Sequence, residues 1–103
     1  MTPEGKRKQK INKLLDSYKP LLYYHMPVPY GYGRTTIDYI GCVCGLFFGI
    51  EAKGHASGKK GQPTERQEGV IDDMNVAGGK TFVVNDDESL AMLAAWLEVV
   101  THP

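Results

Sequence analysis

Three charged residues lie in or beside two apolar, strand-like segments near the middle of the chain. Asp38 opens the first segment, and Glu51 and Lys53 close the second, two residues apart. Because residues i and i+2 of a strand share a face, the Glu51 and Lys53 side chains are expected on one side of a sheet. If the segments pair as a hairpin through Cys44-Gly45, Asp38 comes beside Glu51. Two carboxylates and an ammonium group at one point predict a divalent-metal site with a cationic neighbour, because burying these charges without partners is costly.

These groups suit metal-assisted hydrolysis of a phosphodiester. Asp38 and Glu51 would hold Mg²⁺ or Mn²⁺, since hard cations choose carboxylate oxygen and water, and the backbone carbonyl of Ala52 is a further candidate ligand. The metal would polarise the phosphate and lower the pKa of an attacking water. Lys53 would orient that water or stabilise charge in the transition state. The plainer alternative for Glu51 and Lys53 is an exposed ion pair at a strand end.

An N-terminal helix is predicted to bring a further acid towards this site. The helix is expected to begin at Pro3, with Thr2 as its N-cap, and to end at Ser17 or Tyr18. Glu4 lies on its apolar face by spacing. This residue is either a first-turn acid favoured by the helix dipole or an acid aimed into the active site.

The remaining elements alternate in a way that predicts an α/β sandwich around a mixed sheet. Gln67 lies near the start of the second helix on its inner face, where it makes either a structural hydrogen bond or a contact in the site. Residues 54–61 are expected to form a mobile loop. Strands are expected at 21–28, 35–43, 46–53 and 80–85, the second helix from Pro63 to Gly78-Gly79, and the last helix from Asp86 onward.

The length of the sequence predicts one domain over residues 1–103, and its composition predicts no membrane-spanning segment. Twelve basic and twelve acidic residues balance, but the basic residues cluster at 6–13 and 53–66, which predicts a basic face for a polyanion. No apolar signal region begins the sequence and no apolar run approaches the roughly 20 residues of a span. Cys42 and Cys44 are expected to be reduced core thiols, as in a cytoplasmic protein.

Four short motifs occur in a characteristic order over nearly the whole chain. They are Thr2-Pro3-Glu4-Gly5, Ile37-Asp38-Tyr39, Ile50-Glu51-Ala52-Lys53 and Thr64-Glu65-Arg66-Gln67. In this order they resemble the PD-(D/E)xK nuclease superfamily, and most closely the small stand-alone virus-type replication-repair nuclease (VRR-NUC) domain of bacteriophages. One departure is Ile37, which stands where the family often has proline. It should alter strand entry more than metal chemistry, because proline supplies no ligand.

The resemblance implies both a fold and a set of roles. The fold is a restriction-endonuclease-like αβββαβ core, here with an added C-terminal helix. Asp38 and Glu51 bind the metal and Lys53 is catalytic. Glu4 is carried over as an acid that reaches the metal through water, and Gln67 as a further site residue.

The resemblance also implies a substrate and a setting. It predicts a Mg²⁺- or Mn²⁺-dependent endonuclease that cuts branched DNA such as Holliday junctions, in the cytoplasm of a phage's bacterial host. Symmetrical cutting of two strands calls for two sites related by a two-fold axis, and hence a homodimer. Two alternatives remain open: a nucleic-acid-binding module that kept the fold without cutting, and a small metal-dependent hydrolase for another substrate.

Basic side chains are predicted to contact DNA phosphates without reading bases. The segment 30–34 is either an aromatic, glycine-rich loop that approaches DNA closely or an ordinary turn. Each basic residue also has the alternative of ordinary solvated surface charge. His25, His55 and His102 show no ligand spacing and have no predicted role. The predicted DNA contacts are Lys6, Lys8, Lys10, Tyr30, Arg34, Lys59, Lys60 and Arg66.

Overall fold

A computed structural model describes residues 1–28 and 34–103 as three helices around a mixed four-stranded sheet, with a small separate hairpin. The predicted α/β class and mixed sheet are therefore confirmed. The elements in chain order are α1 (Pro3–Asp16), β1 (Leu22–His25), β2 (Tyr39–Val43), β3 (Leu46–Ala52), β4 (His55–Ala56), β5 (Lys59–Lys60), α2 (Glu65–Val76), β6 (Lys80–Val84) and α3 (Asp87–Thr101).

Strand β3 lies inside the sheet, whose order is β1-β2-β3-β6. It pairs antiparallel with β2 and parallel with β6. The parallel pairing is possible because α2 carries the chain back to the end of the sheet where β3 begins. The β2–β3 hairpin turns at Cys44 and Gly45, as predicted. Their φ angles of 50° and 82° lie in the left-handed region that two-residue hairpin turns require.

The two faces of β3 meet different helices. Phe48 packs edge-on against Trp96 of α3, with ring centroids 6.3 Å apart, and belongs to the main core with residues of α1. On the other face, a side chain at Gly49 would collide with Met74 of α2. Within the described residues, none of the helices is long and apolar enough to cross a membrane. The core residues are Ile11, Leu15, Leu22, Tyr39, Val43, Phe48, Ile50, Ala52, Val84, Leu93 and Leu97.

Four sequence predictions need correction. Strand β1 ends at His25 rather than at residue 28, because Pro27 has no N–H to donate to a strand ladder. Residues 54–61 are not simply a loop, because β4 and β5 pair within them as a short antiparallel hairpin. Strand β2 begins at Tyr39 rather than at residue 35, so Asp38 precedes it. The prediction of core thiols is wrong: both cysteines are free and exposed, since Cys42 lies opposite the partly exposed Phe47 and Cys44 lies in the turn.

Candidate active site

The Asp38 and Glu51 carboxylates lie side by side where β2 begins and β3 ends. Tyr39 pairs with Ile50 across the hairpin, which brings the preceding Asp38 next to Glu51. The Asp38 N–H donates to Glu51 Oε1 at 3.1 Å, and the Ala52 N–H donates to Asp38 Oδ2 at 2.8 Å. This pair of bonds holds each carboxylate against the backbone of the opposite segment, so both are oriented without help from solvent.

Lys53 completes a buried charge cluster with Glu51. Its Nζ atom is 3.3 Å from Glu51 Oε2, and the two side chains are 17% and 2% exposed. The alternative of an exposed ion pair at a strand end is therefore wrong. A buried ion pair is weak evidence for stability, because removing both charges from water offsets much of their attraction. The cluster thus calls for another explanation, and a functional site is the natural one.

Burial strongly perturbs the Glu51 carboxyl group. Desolvation, followed by the nearby charge of Asp38, raises its pKa to about 7, although Lys53 opposes the shift. Near neutral pH the fold therefore holds Glu51 between its neutral and charged forms. A further cation at this position would favour the charged form.

Helix α1 delivers two side chains to the same place. Glu4 and Lys8 are one helical turn apart, and Lys8 Nζ lies 3.5 Å from Glu4 Oε2 and 3.3 Å from Asp38 Oδ1. The buried Tyr39 hydroxyl contacts Lys8 O at 3.3 Å and Asn12 Oδ1 at 2.6 Å, which fixes this turn of α1 over the start of β2. Glu4 is therefore joined to Asp38 through the Lys8 ammonium group.

Lys8 keeps its charge in this position. Burial alone would lower its pKa, but the charges and hydrogen bonds of Asp38 and Glu4 raise it overall. The sequence places Lys8 only among the general DNA contacts and misses this role. The signal that could have revealed it is the spacing of four residues between Glu4 and Lys8, which brings an acid and a base together on a helix.

The metal-ligand set predicted from the sequence is only partly assembled. Among the described residues, no three His, Cys, Asp or Glu side chains come close enough to hold a metal ion between them. Lys8 and Lys53 each neutralise one of the two central carboxylates instead. The donors that fit Mg²⁺ or Mn²⁺ are the oxygens of Asp38 and Glu51 with the Ala52 carbonyl. A metal ion on Asp38 would lie beside the Lys8 ammonium, whose like charge opposes metal binding.

Gln67 is engaged in the start of α2. Its Oε1 accepts from the Thr64 N–H at 2.9 Å, and its own N–H donates to Thr64 Oγ1 at 3.2 Å. This reciprocal pair is a capping box, which satisfies two N–H groups that the helix leaves free. The contact accounts for Gln67 as a structural residue, which is the plainer of the two predicted roles.

We expect Gln67→Ala to lower the free energy of unfolding by about 1 kcal/mol, because the capping box loses one of its two bonds. Urea unfolding of this variant, of Thr64→Ala and of the double variant measures the loss. The double variant should lose clearly less than the sum of the single variants, since both act on one motif. Additive losses would contradict a shared cap.

The predicted DNA contacts are spread over several elements. Lys6 and Lys10 project from α1 and are exposed, and Lys10 Nζ lies 3.4 Å from Asp87 Oδ1. Lys60 Nζ lies 3.2 Å from Asp86 Oδ2. Tyr30 lies outside the described residues. The other predicted contacts are exposed, namely Arg34, Lys59 on β5 and Arg66 on α2.

Comparison of the chain with protein-family models, with curated proteins and with solved structures finds no match in any of the three. The function is therefore inferred from the geometry of the site and from the sequence motifs.

Proposed function

We propose that this protein is a metal-dependent endonuclease that hydrolyses phosphodiester bonds in DNA. The observation that carries the proposal is the cluster at the end of an interior strand in which the buried Glu51 contacts the partly buried Asp38 and Lys53. Acids and lysines are almost never fully buried unless they are paired. Two carboxylates beside an ammonium group supply the parts that metal-assisted phosphodiester hydrolysis needs.

The residues of the site would have different roles in the reaction. Asp38 and Glu51, with the Ala52 carbonyl, would hold Mg²⁺ or Mn²⁺, which supplies Lewis-acid polarisation of the phosphate when bound. The Ala52 N–H keeps the Asp38 carboxylate in place. Lys53 presents its ammonium group beside Glu51, where it orients the attacking water or stabilises developing negative charge. Glu4, whose carboxylate contacts Lys8, would be a further acid of the site, at water-mediated distance from such a metal.

The order of the elements supports assignment to the PD-(D/E)xK class and its VRR-NUC branch. The run α1-β1-β2-β3-α2-β6 has the αβββαβ order of that core. Asp38, then Glu51 and Lys53, then Gln67 in the capped helix α2 occur along the chain in the order of the family's motifs. The β4–β5 hairpin and α3 are additions to this run. Gln67 belongs to the same motif set, although its hydrogen bonds give it a structural role here.

The proposed substrate is branched DNA such as a Holliday junction, bound through phosphates by the exposed basic residues. A homodimer would present two sites for symmetrical cutting, and the mass of the protein in solution tests that part. The proposed setting is the cytoplasm of a bacterium infected by the phage that encodes the protein. Incubation with labelled junction, flap, single-stranded and duplex DNA in Mg²⁺ or Mn²⁺ tests the activity. Cleavage of none of these would remove the enzymatic proposal.

One observation favours a second candidate, a nucleic-acid-binding module that does not cut. Lys8 and Lys53 balance the two central carboxylates without any metal. A module of this kind would bind DNA equally well with or without divalent cations and would leave it intact. The panel of labelled DNA substrates separates the two candidates.

Lys8→Met is expected to raise the affinity of the protein for Mn²⁺ by about tenfold. The Lys8 ammonium lies 3.3 Å from Asp38 Oδ1 and would repel a metal cation bound to that carboxylate. A like charge at this distance commonly shifts a pKa by one unit or more, and an effect of the same size on metal binding is a factor of ten. Titration calorimetry of the metal-free protein measures the affinity directly and requires no cleavage.

Lys13→Met is the matched control for this experiment. Lys13 lies on the same helix, is exposed, and makes no ion pair within the described residues. Equal Mn²⁺ affinities for the Lys8 and Lys13 variants would show that Lys8 does not compete with the metal.

A further inference from the structure

A small basic pocket lies where the start of α1 meets the β4–β5 hairpin. Its volume is about 230 Å³, several times the roughly 30 Å³ that one water occupies in the liquid. Among the described residues, no carboxylate side chain is part of its lining. The lining residues are Pro3, Lys6, Arg7, Lys10 and His55, and we call this cavity the α1 basic pocket.

Arg7 carries a donor that the described residues leave unsatisfied. Its side chain is 11% exposed, and its Nε atom is buried without a hydrogen-bond partner in the described part of the chain. A buried donor without a partner costs free energy, and such groups in folded proteins call for an explanation. The buried Nε atom itself has no access to the open pocket, so an oxyanion there would meet the other N–H groups of the guanidinium, which form a planar fork suited to it.

One carboxylate approaches the pocket from outside and is outnumbered by cations. Asp87 Oδ1 lies 3.1 Å from Arg7 Nη1 and 3.4 Å from Lys10 Nζ. The Asp87 side chain is 84% exposed, and its pKa is lowered by Arg7 and then by Lys10. A single carboxylate shared between two cations leaves net positive charge in the pocket, to which Lys6 adds.

We propose that the α1 basic pocket binds a phosphate group, and that this group is a phosphate of the DNA backbone next to the cleaved bond. Arg7, Lys6 and Lys10 supply the charge, and His55 supplies a polar contact from the hairpin. Binding of phosphate in the pocket requires neither metal nor Lys53. The assignment of that phosphate to DNA rests on the proposed function.

The chain path places the pocket beside the candidate active site. Lys53 and His55 are separated only by Gly54, so their backbones are at most about 7 Å apart. A side chain at Gly54 would meet Pro3 Cβ at 2.8 Å and the Glu4 N atom at 2.9 Å, so this segment lies directly against the start of α1. This separation is of the same order as the spacing of consecutive phosphates along one DNA strand, each of which rises by about 3.4 Å along the helix axis. A phosphate in the pocket would therefore position a neighbouring phosphodiester near Lys53.

The pocket can be tested without metal by titrating the protein with inorganic phosphate against chloride at equal ionic strength and fixed pH. The ring resonances of the three histidines are followed by NMR. His55 is expected to shift and to saturate, while His25 and His102, which do not line the pocket, stay unchanged. A uniform drift of all three, or a His55 shift that does not saturate, would overturn the proposal.

Two exposed residues provide opposite tests that do not depend on changing the nearly buried Arg7. Lys10→Met is expected to weaken phosphate binding by about tenfold, since it removes a charge-assisted contact. Asp87→Asn is expected to strengthen it several-fold, since it removes the competing carboxylate. Lys13→Met, which lies outside the pocket, is the control. Equal affinities across the three variants would also overturn the proposal.

The source of the phosphate is decided by adding junction DNA in EDTA to the phosphate-bound protein. Displacement of phosphate by DNA supports the backbone assignment. If phosphate binds at His55 and DNA does not displace it, the pocket is supported as a site for a small phosphorylated ligand and the DNA assignment is overturned. Because no metal is present, a protein that fails to cleave DNA can still show the pocket, so the two failures are distinguishable.

Discussion

Lys53→Ala is expected to slow metal-dependent DNA cleavage by about a thousandfold while leaving DNA affinity unchanged. The Lys53 ammonium is held 3.3 Å from Glu51 and is largely buried, so no other cation within the described residues makes this contact. Removing one preorganised group that stabilises the transition state typically costs a factor of about 10²–10³ in rate. Single-turnover cleavage of a labelled junction in Mn²⁺ gives the rate, and binding in EDTA gives the affinity.

Lys13→Ala is the control for this variant, because it removes the same charge from an exposed position on α1. Its cleavage rate should stay within about twofold of the starting protein, as expected for a surface charge away from the site. A Lys53→Ala protein that cuts as fast as the Lys13→Ala protein would remove Lys53 from the mechanism.

Glu51→Gln is expected to stabilise the metal-free protein by roughly 2–3 kcal/mol at pH 8 and to change it little near pH 4. The fold raises the Glu51 pKa from 4.5 to about 7, so it favours the protonated form. The stability from this group is complete below pH 4.5 and is lost as pH rises through 7. A shift of this size corresponds to roughly 3 kcal/mol, and the altered contact with Lys53 reduces the gain.

Urea unfolding in EDTA at several pH values measures this effect. Glu68→Gln serves as the matched change, because Glu68 is exposed on α2 and its replacement should alter stability by no more than about 0.5 kcal/mol. Parallel stability-versus-pH curves for the two variants would contradict the raised Glu51 pKa. The same Glu51→Gln protein should have lost its Mn²⁺ affinity, since a charged metal ligand is gone.

Much of the fold could be predicted because local chemistry agrees with the final structure. Thr2 caps α1 by accepting from the Gly5 N–H at 3.0 Å, and the Cys44-Gly45 turn joins β2 to β3 as the strand pattern indicates. The hairpin register then places Asp38 beside Glu51, because a shift of one residue would turn one of them to the opposite face. The core of the candidate site is therefore visible in the sequence.

Other features depend on tertiary contacts or on weak local signals. Strands β4 and β5 have two residues each and no apolar alternation, so composition predicts only a loop. The spacing of Glu4 and Lys8 predicts only their contact on the helix, whereas the bridge from Lys8 to Asp38 is a tertiary contact that depends on Tyr39 holding α1 over β2. The sequence Thr64-x-x-Gln67 is a capping-box signature, but a glutamine at this position also fits a site residue, so the sequence alone leaves both roles open.

The central claim is that Asp38 and Glu51 hold the metal that drives phosphodiester hydrolysis. Its most direct test is single-turnover cleavage of a labelled four-way junction by the starting protein and by Asp38→Ala, each with Mn²⁺ and with EDTA. We expect cleavage only by the starting protein with Mn²⁺, while both proteins bind the junction equally well. Cleavage by Asp38→Ala at the rate of the starting protein, or cleavage that persists in EDTA, would contradict the claim.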